Sequence, residues 1–118
     1  MSVDTYLKQL LGSLVNGGCH IGVNRSVPIV TPYIVFYEIS GMPLDTISQY
    51  SGMTEYRYQV DVFARSPEES RGIATGAVRS AILSAELLKA SLIFQSSGQY
   101  SELDKTYQYI TEYKFFTP

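Results

Sequence analysis

The chain has 118 residues, a formal net charge of −2 and charged side chains at only 17% of its positions. This length suffices for a single domain, residues 1–118, whose core needs no disulfide or metal ion. The nine lysines and arginines are scattered, which argues against a nucleic-acid-binding surface. The chain has one cysteine, no signal-peptide pattern and no apolar run near the ~20 residues of a membrane span. It is therefore predicted to be a soluble protein of a reducing compartment.

The first predicted element is a short amphipathic helix over residues 3–15. Its leucines recur at the i, i+3, i+4 and i+7 positions of one helical face: Leu7, Leu10, Leu11 and Leu14. The glycines that follow Asn16 are expected to end it. Such a helix either packs on the core or binds a partner. The next stretch, 19–31, is predicted to be a lead-in loop, with a short edge strand near Ile21–Val23 as an alternative.

Residues 32–40 are predicted to form a strand that is apolar on both faces. Its side chains alternate between the faces, with Tyr33, Val35, Tyr37 and Ile39 on one and Ile34 and Phe36 on the other. A strand without a polar face is expected to be covered on both sides, by helices or by another subunit. The segment 41–52 is polar and interrupted by glycines, which predicts a long hairpin loop between two antiparallel strands. Loops of this length in a compact domain are usually functional or mobile.

Residues 56–65 show the clearest strand pattern of the chain. Tyr56, Tyr58, Val60, Val62 and Ala64 fall on one face, and Arg57, Gln59, Asp61, Phe63 and Arg65 fall on the other. Consecutive charges on the second face stand four residues apart, which is roughly 13 Å at a rise of ~3.3 Å per residue, so they cannot pair with their neighbours along the strand. They are expected to pair across strands, to meet another subunit or to be solvated.

A helix is predicted to follow this strand directly and to continue to about residue 82. Ser66 stands at its N-cap, Pro67 at its first position, and Glu69 completes a capping box. Gly72 and Gly76 lie inside the helix, where glycine costs ~1 kcal/mol relative to alanine. Their presence predicts that the helix packs closely against a sheet.

Two further strands are predicted after the helix, a short one at 90–96 and a long one at 106–116, with a polar loop at 97–104 between them. Tyr56 and Tyr58 would stack with tyrosines of the last strand if the long strands are neighbours: Tyr107, Tyr109 and Tyr113. This tyrosine face lies either under the helices or in an oligomer interface. The elements predict an α+β fold, an antiparallel sheet of about four main strands with two helices packed on it, in the order α-β-β-α-β-β.

The sequence offers little that would support catalysis. Cys19 and His20 are adjacent, and neighbouring side chains usually diverge, so a loop cysteine beside a solvated histidine is favoured over a catalytic pair. With one histidine and no carboxylate nearby, a zinc site is not predicted. Glu68 and Glu69 are explained as residues of the first helical turn. No phosphate-binding loop is present. We therefore predict no catalytic residues, metal or cofactor, and an enzyme or small-ligand protein is the alternative class.

Four stretches together resemble the tail-completion family of long-tailed bacteriophages, the small tail terminator or tail-to-head joining proteins. They are T-P-Y-I-V-F-Y-E-I-S at 31–40, Y-R-Y-Q-V-D-V-F-A-R at 56–65, E-E-S-R-G-I-A-T-G-A-V-R-S-A-I at 68–82 and the aromatic strand at 106–116. The resemblance covers nearly the whole chain, in the same order. It implies a structural protein of the virion, located at the head-proximal end of the tail and present in the host cytoplasm during assembly.

Members of that family form a ring, commonly hexameric, that stops polymerisation of the tail tube and docks the tail to the head. The resemblance therefore implies three kinds of partner: further copies of the chain, the tail tube protein and the head–tail connector or neck protein. Among virion proteins, a head-completion or neck adaptor protein is the alternative, although such adaptors are richer in helix. Outside them, the alternative is a cellular α+β binding protein.

Partner contacts are expected in the loops 41–52 and 97–104 and on the charged face of the strand 56–65. The candidate loop residues are Met42, Leu44, Asp45, Tyr50, Tyr100, Glu102 and Asp104. The candidate contacts between subunits on the strand are Arg57, Asp61 and Arg65. Loops of this length in a small domain are usually functional, and the strand charges have no partner within their own strand.

Overall fold

The computed structural model describes residues 2–25, 28–43 and 54–117. Its elements are α1 (Val3–Leu11), β1 (Cys19–Ile21), β2 (Tyr33–Pro43), β3 (Thr54–Ala64), α2 (Pro67–Ile73), a π-helical turn (Ala74–Val78), α3 (Arg79–Ser84), β4 (Ser91–Ser101) and β5 (Thr106–Thr117). α2, the π-helical turn and α3 follow one another without a break and form one continuous second helix. No helix in these described ranges is long and apolar enough to cross a membrane.

The five strands of the described chain form one sheet in the order β1-β2-β3-β5-β4. β1 runs parallel to β2, and all other neighbours are antiparallel. The α+β class, with two helices and a sheet, is confirmed. The prediction of about four antiparallel strands is wrong in detail, because the sheet is mixed and contains β1 as a fifth strand. The alternative of a short edge strand is confirmed, although it begins two residues earlier than expected.

β1 forms because the chain turns at Gly18, whose φ of +77° lies in the region that glycine favours. The turn lays Cys19–Ile21 beside the first half of β2. Backbone hydrogen bonds from Ile34 N to Gly18 O (3.0 Å) and from Gly22 N to Phe36 O (2.9 Å) bracket the pairing. Three residues are too few to show a period of two, so sequence alone could not separate this strand from a loop.

α1 begins at a side-chain cap and ends earlier than predicted. Ser2 Oγ accepts a 3.2 Å hydrogen bond from Thr5 N, which satisfies one of the free amides of the first turn. Leu7 and Leu11 are fully buried in the core, as the leucine stripe predicted. Gly12 is the C-cap, so the prediction of helix up to residue 15 is wrong in its last four positions.

The second helix starts with the predicted capping box. Ser66 Oγ accepts a 3.1 Å hydrogen bond from Glu69 N, and Glu69 Oε1 accepts a 3.3 Å hydrogen bond from Arg65 N. The expectation that Gly72 and Gly76 pack closely on the sheet is wrong, because a Cβ added at either position would meet no atom within 4 Å. The fully buried residues of this helix are not the glycines but Ala74, Val78 and Ile82.

The core lies between the helices and one face of the sheet. Tyr58 of β3 stands directly opposite Tyr113 of β5, and both rings are buried there. The Tyr58 ring also packs on Phe36 and Phe115, with ring centroids 6.2 and 5.5 Å away. Of the two positions predicted for the tyrosine face, the one under the helices is therefore confirmed for Tyr58, Tyr113 and the neighbouring Tyr109.

β4 is longer than predicted and includes residues 97–101 of the expected loop at 97–104. It pairs with β5 as far as Ser101, with irregularities between Leu92 and Phe94 and between Ser97 and Tyr100. At the second irregularity Gly98 lies against Gln108, where an added Cβ would be only 2.5 Å from Gln108 Oε1. A polar, glycine-containing sequence thus forms a strand by pairing with β5, with the glycine at a position where the neighbouring side chain comes close.

Candidate interaction surface

The face of the sheet opposite the helices carries no second layer in the described part of the chain. This open face consists of outward side chains from four strands: Tyr33, Val35 and Tyr37 on β2, Arg57, Gln59, Asp61 and Phe63 on β3, Gln108, Ile110, Glu112 and Lys114 on β5, and Phe94 and Ser96 on β4. The alternation predicted for β3 is confirmed. β2 is covered on its helix side, and on the open face Tyr33 and Val35 are also buried, whereas Tyr37 is 38% exposed. The prediction of cover on both sides is therefore met for Tyr33 and Val35 but not for Tyr37.

Asp61 lies at the centre of the open face and is only 3% exposed. Its carboxylate accepts hydrogen bonds from Gln59 Nε2 at 3.1 and 2.9 Å and from Gln108 Nε2 at 2.9 Å. Burial raises the pKa of Asp61, although the two amide donors act in the opposite direction. The carboxylate is therefore held by neutral donors and is shielded from solvent in the single chain.

The other predicted charges on this strand have separate partners. Arg57 lies 3.9 Å from Glu112 on β5, which is one of the cross-strand pairings that the spacing allowed. Arg65 donates from Nε to Thr31 Oγ1 at 3.1 Å, beyond the end of the sheet. The structure therefore does not bring Arg57, Asp61 and Arg65 together. Exposed ion pairs such as Arg57–Glu112 contribute only ~0–1 kcal/mol, so these side chains remain available for rearrangement on binding.

An aromatic stack at one end of the open face anchors the turn between β4 and β5. The rings of Tyr33 and Phe63 are parallel, with centroids 4.8 Å apart. The Tyr33 hydroxyl donates to Asp104 Oδ2 at 2.6 Å, and Thr106 Oγ1 donates to Asp104 Oδ1 at 2.7 Å. Burial alone would raise the pKa of Asp104, but hydrogen bonds from Tyr33, Thr106 and Ser101 outweigh it and lower the pKa. Asp104 is thus a structural anchor of the turn.

The turn itself, residues 102–105, presents an apolar side chain to solvent. Leu103 is 95% exposed, and Glu102 beside it is exposed as well. Tyr100, the remaining candidate in this region, packs against Tyr107 with ring centroids 4.8 Å apart. Tyr100, Glu102 and Asp104 are predicted contacts, whereas Leu103 is not, because a single leucine in a polar segment has no periodic neighbours.

A cleft of about 540 Å³ lies at the opposite edge of the sheet, where α1 meets β1 and the segment after it. It is lined by Lys8, His20, Ile21, Val23 and Arg25. Ile21 and Val23 are 49% and 51% exposed, so the cleft has an apolar wall as well as basic side chains. The His20 ring is fixed by a hydrogen bond, in which Nε2 donates to Gly17 O at 2.8 Å. Sequence reasoning missed this site because its residues come from two separate elements.

Cys19 and His20 point to different environments, as expected of adjacent residues. The prediction of a loop cysteine beside a solvated histidine is wrong, because both residues lie in β1, where Cys19 is buried and His20 is partly buried. Cys19 is buried in the core, and burial raises the pKa of its thiol to about 12, even though the nearby Lys8 charge lowers it. The thiol is therefore neutral near pH 7 and is not a thiolate nucleophile. Within the described ranges, no three side chains of His, Cys, Asp or Glu come together in a way that could hold a metal ion.

The predicted hairpin loop 41–52 begins later than expected, because β2 continues to Pro43. The backbone of Met42 pairs with Glu55 of β3, so this residue belongs to the strand. The candidates Leu44, Asp45 and Tyr50 lie outside the residues that the structure describes.

The chain matches no model of a known protein family and no sequence of a curated protein.

Proposed function

We propose that the protein is a structural virion protein of a long-tailed bacteriophage, a tail terminator that forms a ring at the head-proximal end of the tail tube. The proposal starts from the resemblance of four stretches to the tail-completion family. These stretches correspond to β2, β3, the second helix and β5, which are the three central strands and the helix that covers them. The resemblance thus concerns the whole framework of the domain.

The observation that carries the proposal is that the sheet is unfinished on two sides. Its open face has no covering layer within the described residues, and β4 forms one edge. That edge strand has eleven residues and contains no Lys, Arg, Asp or Glu. Exposed edge strands are usually protected by charges or proline, because their free backbone groups can pair with another chain. Surfaces of this kind favour a protein that works by contact with further subunits.

In the proposed mechanism, a closed ring caps an open assembly. A tube that grows by head-to-tail addition continues until its end is blocked, whereas a head-to-tail interface whose rotation closes produces a ring. A ring of this protein, hexameric as in the family, would bind the last layer of tube protein on one side. Its other side would dock the head connector or neck protein. No catalytic residue or cofactor takes part.

Electron microscopy of lysates from a phage that lacks this gene tests the proposal. We expect overlong or ragged tails separate from filled heads, because the cap on the tube has been lost. Tails of normal length beside free filled heads would assign the protein to the head-completion or neck adaptor class instead. Intact particles would contradict both assembly roles and leave the cellular α+β binding protein as the remaining alternative.

A further inference from the structure

The cleft lined by Lys8, His20, Ile21, Val23 and Arg25 combines two properties that a buried peptide contact requires. Its two cationic side chains have no ion-pair partner, since neither Lys8 nor Arg25 forms an ion pair with any residue that the structure describes. Among the described residues, no acidic side chain lines it. Its wall is aliphatic, because Ile21 and Val23 are about half exposed. An occupant that is both acidic and apolar fits this combination, whereas a nucleic acid would leave the aliphatic wall without a matching contact.

The turn 102–105 offers the complementary chemistry. Leu103 projects almost completely into solvent and is preceded by the exposed carboxylate of Glu102. The next residue, Asp104, is held by Tyr33 and Thr106, so the backbone of the turn is fixed before any partner arrives. A preformed loop loses less conformational entropy on binding than a mobile one. The turn therefore forms a preformed protrusion that presents one leucine and an adjacent glutamate to solvent.

We infer that the turn 102–105 of one copy docks into the cleft of a second copy, with Leu103 against Ile21 and Val23 and Glu102 facing Lys8 and Arg25. The two surfaces belong to the β4–β5 hairpin and to β1, which lie at opposite ends of the strand order. Contact between two different surfaces of the same chain is heterologous, so each copy can bind one neighbour on either side. The inference rests on the proposed ring and names the contact that closes it.

Disulfide trapping tests the contact directly. A mixture of the Leu103→Cys and Val23→Cys variants is expected to form disulfide-linked dimers, whereas neither variant alone forms them in comparable amount. The native Cys19 is buried and does not compete. Leu87→Cys is the matched control, because Leu87 is also strongly exposed (68%) but lies outside the proposed contact. A mixture of Leu87→Cys and Val23→Cys should give no such dimer.

Charge reversal supplies an independent measurement. Glu102→Lys, or Lys8→Glu combined with Arg25→Glu, should weaken self-association measured by sedimentation equilibrium, and Leu103→Ser should weaken it about tenfold or more. Mixing the Glu102→Lys protein with the Lys8→Glu/Arg25→Glu protein should restore association at the exchanged contact. Far-ultraviolet circular dichroism confirms that each variant is folded. High salt should weaken the wild-type association, because the charged part of the contact is screened.

Several results would overturn the inference. A wild-type protein that forms rings without trapping between positions 103 and 23 would show that the ring closes elsewhere, and the terminator proposal would survive. A second such result is a wild-type protein that stays monomeric when bound to the end of purified tail tubes, while positions 103 and 23 again form no disulfide. That result would show that the proposed contact does not form in any assembly. Protection of Val23→Cys from a thiol reagent by an oligonucleotide, in place of trapping, would assign the cleft to nucleic acid. The gene-deletion phenotype tests the terminator role separately.

Discussion

The hydroxyl of Tyr58 donates a 2.6 Å hydrogen bond to Oδ1 of Asp4. Tyr58 lies in β3, the middle strand of the sheet, and Asp4 lies in the first turn of α1. One hydrogen bond thus ties the N-terminal helix to the centre of the sheet. The ring of the same tyrosine packs in the core, so a single side chain contributes apolar area at one end and a polar contact at the other.

Replacing Tyr58 by phenylalanine keeps the ring and removes this bond. We expect the free energy of unfolding to fall by about 1–2 kcal/mol, because a hydrogen bond to a carboxylate is lost. Urea denaturation followed by circular dichroism at pH 7 measures the change. Tyr56→Phe is the control, since the Tyr56 hydroxyl forms no hydrogen bond with a described residue. Equal losses in the two variants would show that the Tyr58–Asp4 bond is unimportant.

The same tyrosine predicts an alkaline limit of stability. Burial, followed by the hydrogen bond and charge of Asp4, raises the pKa of Tyr58 above its ordinary value of 10.0. The unfolded chain therefore loses the phenolic proton first, and the stability from this group is complete below pH 10.0 and falls as the pH rises towards the folded pKa. Unfolding free energies measured from below to above that pH should fall, and Tyr58→Phe should flatten the decline. An equally steep decline in the variant would assign the effect to other groups.

Two aspartates should respond to amide substitution with opposite signs. The pKa of Asp61 is raised by burial, so its ionised form costs stability, and that cost appears as the pH rises through the folded pKa. Asp61→Asn is expected to raise the free energy of unfolding at pH 7 by up to about 1 kcal/mol and to lose this advantage in acid.

Asp104 is the matched case, because its pKa is lowered and its stabilising contribution disappears as the pH falls through the folded pKa. Asp104→Asn is expected to cost about 1 kcal/mol at pH 7 and less in acid, since the charged acceptor for Tyr33 and Thr106 is lost. Denaturation of both variants at pH 7 and at pH 3 measures the difference. Effects of the same sign at pH 7 would contradict the environments described for the two carboxylates.

Two glycines should also respond in opposite directions when replaced by alanine. Gly72 lies in α2 with open space around it, so Gly72→Ala is expected to stabilise the protein by about 0.5–1 kcal/mol. A Cβ at Gly17 would lie 1.9 Å from the carbonyl oxygen of Val30, so Gly17→Ala is expected to destabilise it by ~3 kcal/mol or more. Thermal denaturation measures both changes. If Gly72→Ala destabilises the protein, the result would support the close packing predicted from the sequence.

The thiol of Cys19 should be unreactive while the protein is folded. Its pKa is raised to about 12 by burial, so the thiolate fraction near pH 8 is very small, and the sulfur is also covered by the core. Reaction with Ellman's reagent should therefore proceed at the rate of unfolding. Leu87→Cys provides an exposed thiol for comparison in the same protein. Rapid modification of the native thiol would contradict its buried position.

The stretch from β3 through the second helix was predicted well because several independent signals agree there. Strict alternation over residues 56–65 identifies the strand, and Ser66, Pro67 and Glu69 mark the start of the helix by a local mechanism. The prediction that β3 and β5 are neighbours is confirmed, although only Tyr58 and Tyr113 of their tyrosines stand directly opposite each other. These features depend on neighbours in sequence, or on two long strands that have few other ways to pair.

The features that were missed depend on contacts between distant segments. Gly98 lies in β4 against the side chain of Gln108 on β5, which fills the space where a Cβ would stand. The cleft exists only because β1 pairs in parallel with β2 and brings residues 20–25 near Lys8. Neither relationship leaves a periodic pattern in the chain. By contrast, the separation of Arg57, Asp61 and Arg65 was predicted from their spacing along the strand, and each has its own partners in the structure.

The irregularities in the pairing of β4 with β5 affect how readily another chain could add to the β4 edge of the sheet. Each copy carries a strand without Lys, Arg, Asp or Glu along one edge of its sheet, where another chain could pair with it. Irregular pairing near Phe94 and Gly98 interrupts the regular hydrogen-bond spacing that a foreign strand would need over the full length of that edge. We therefore expect these interruptions to limit unspecific strand addition along an edge that carries no protective charges.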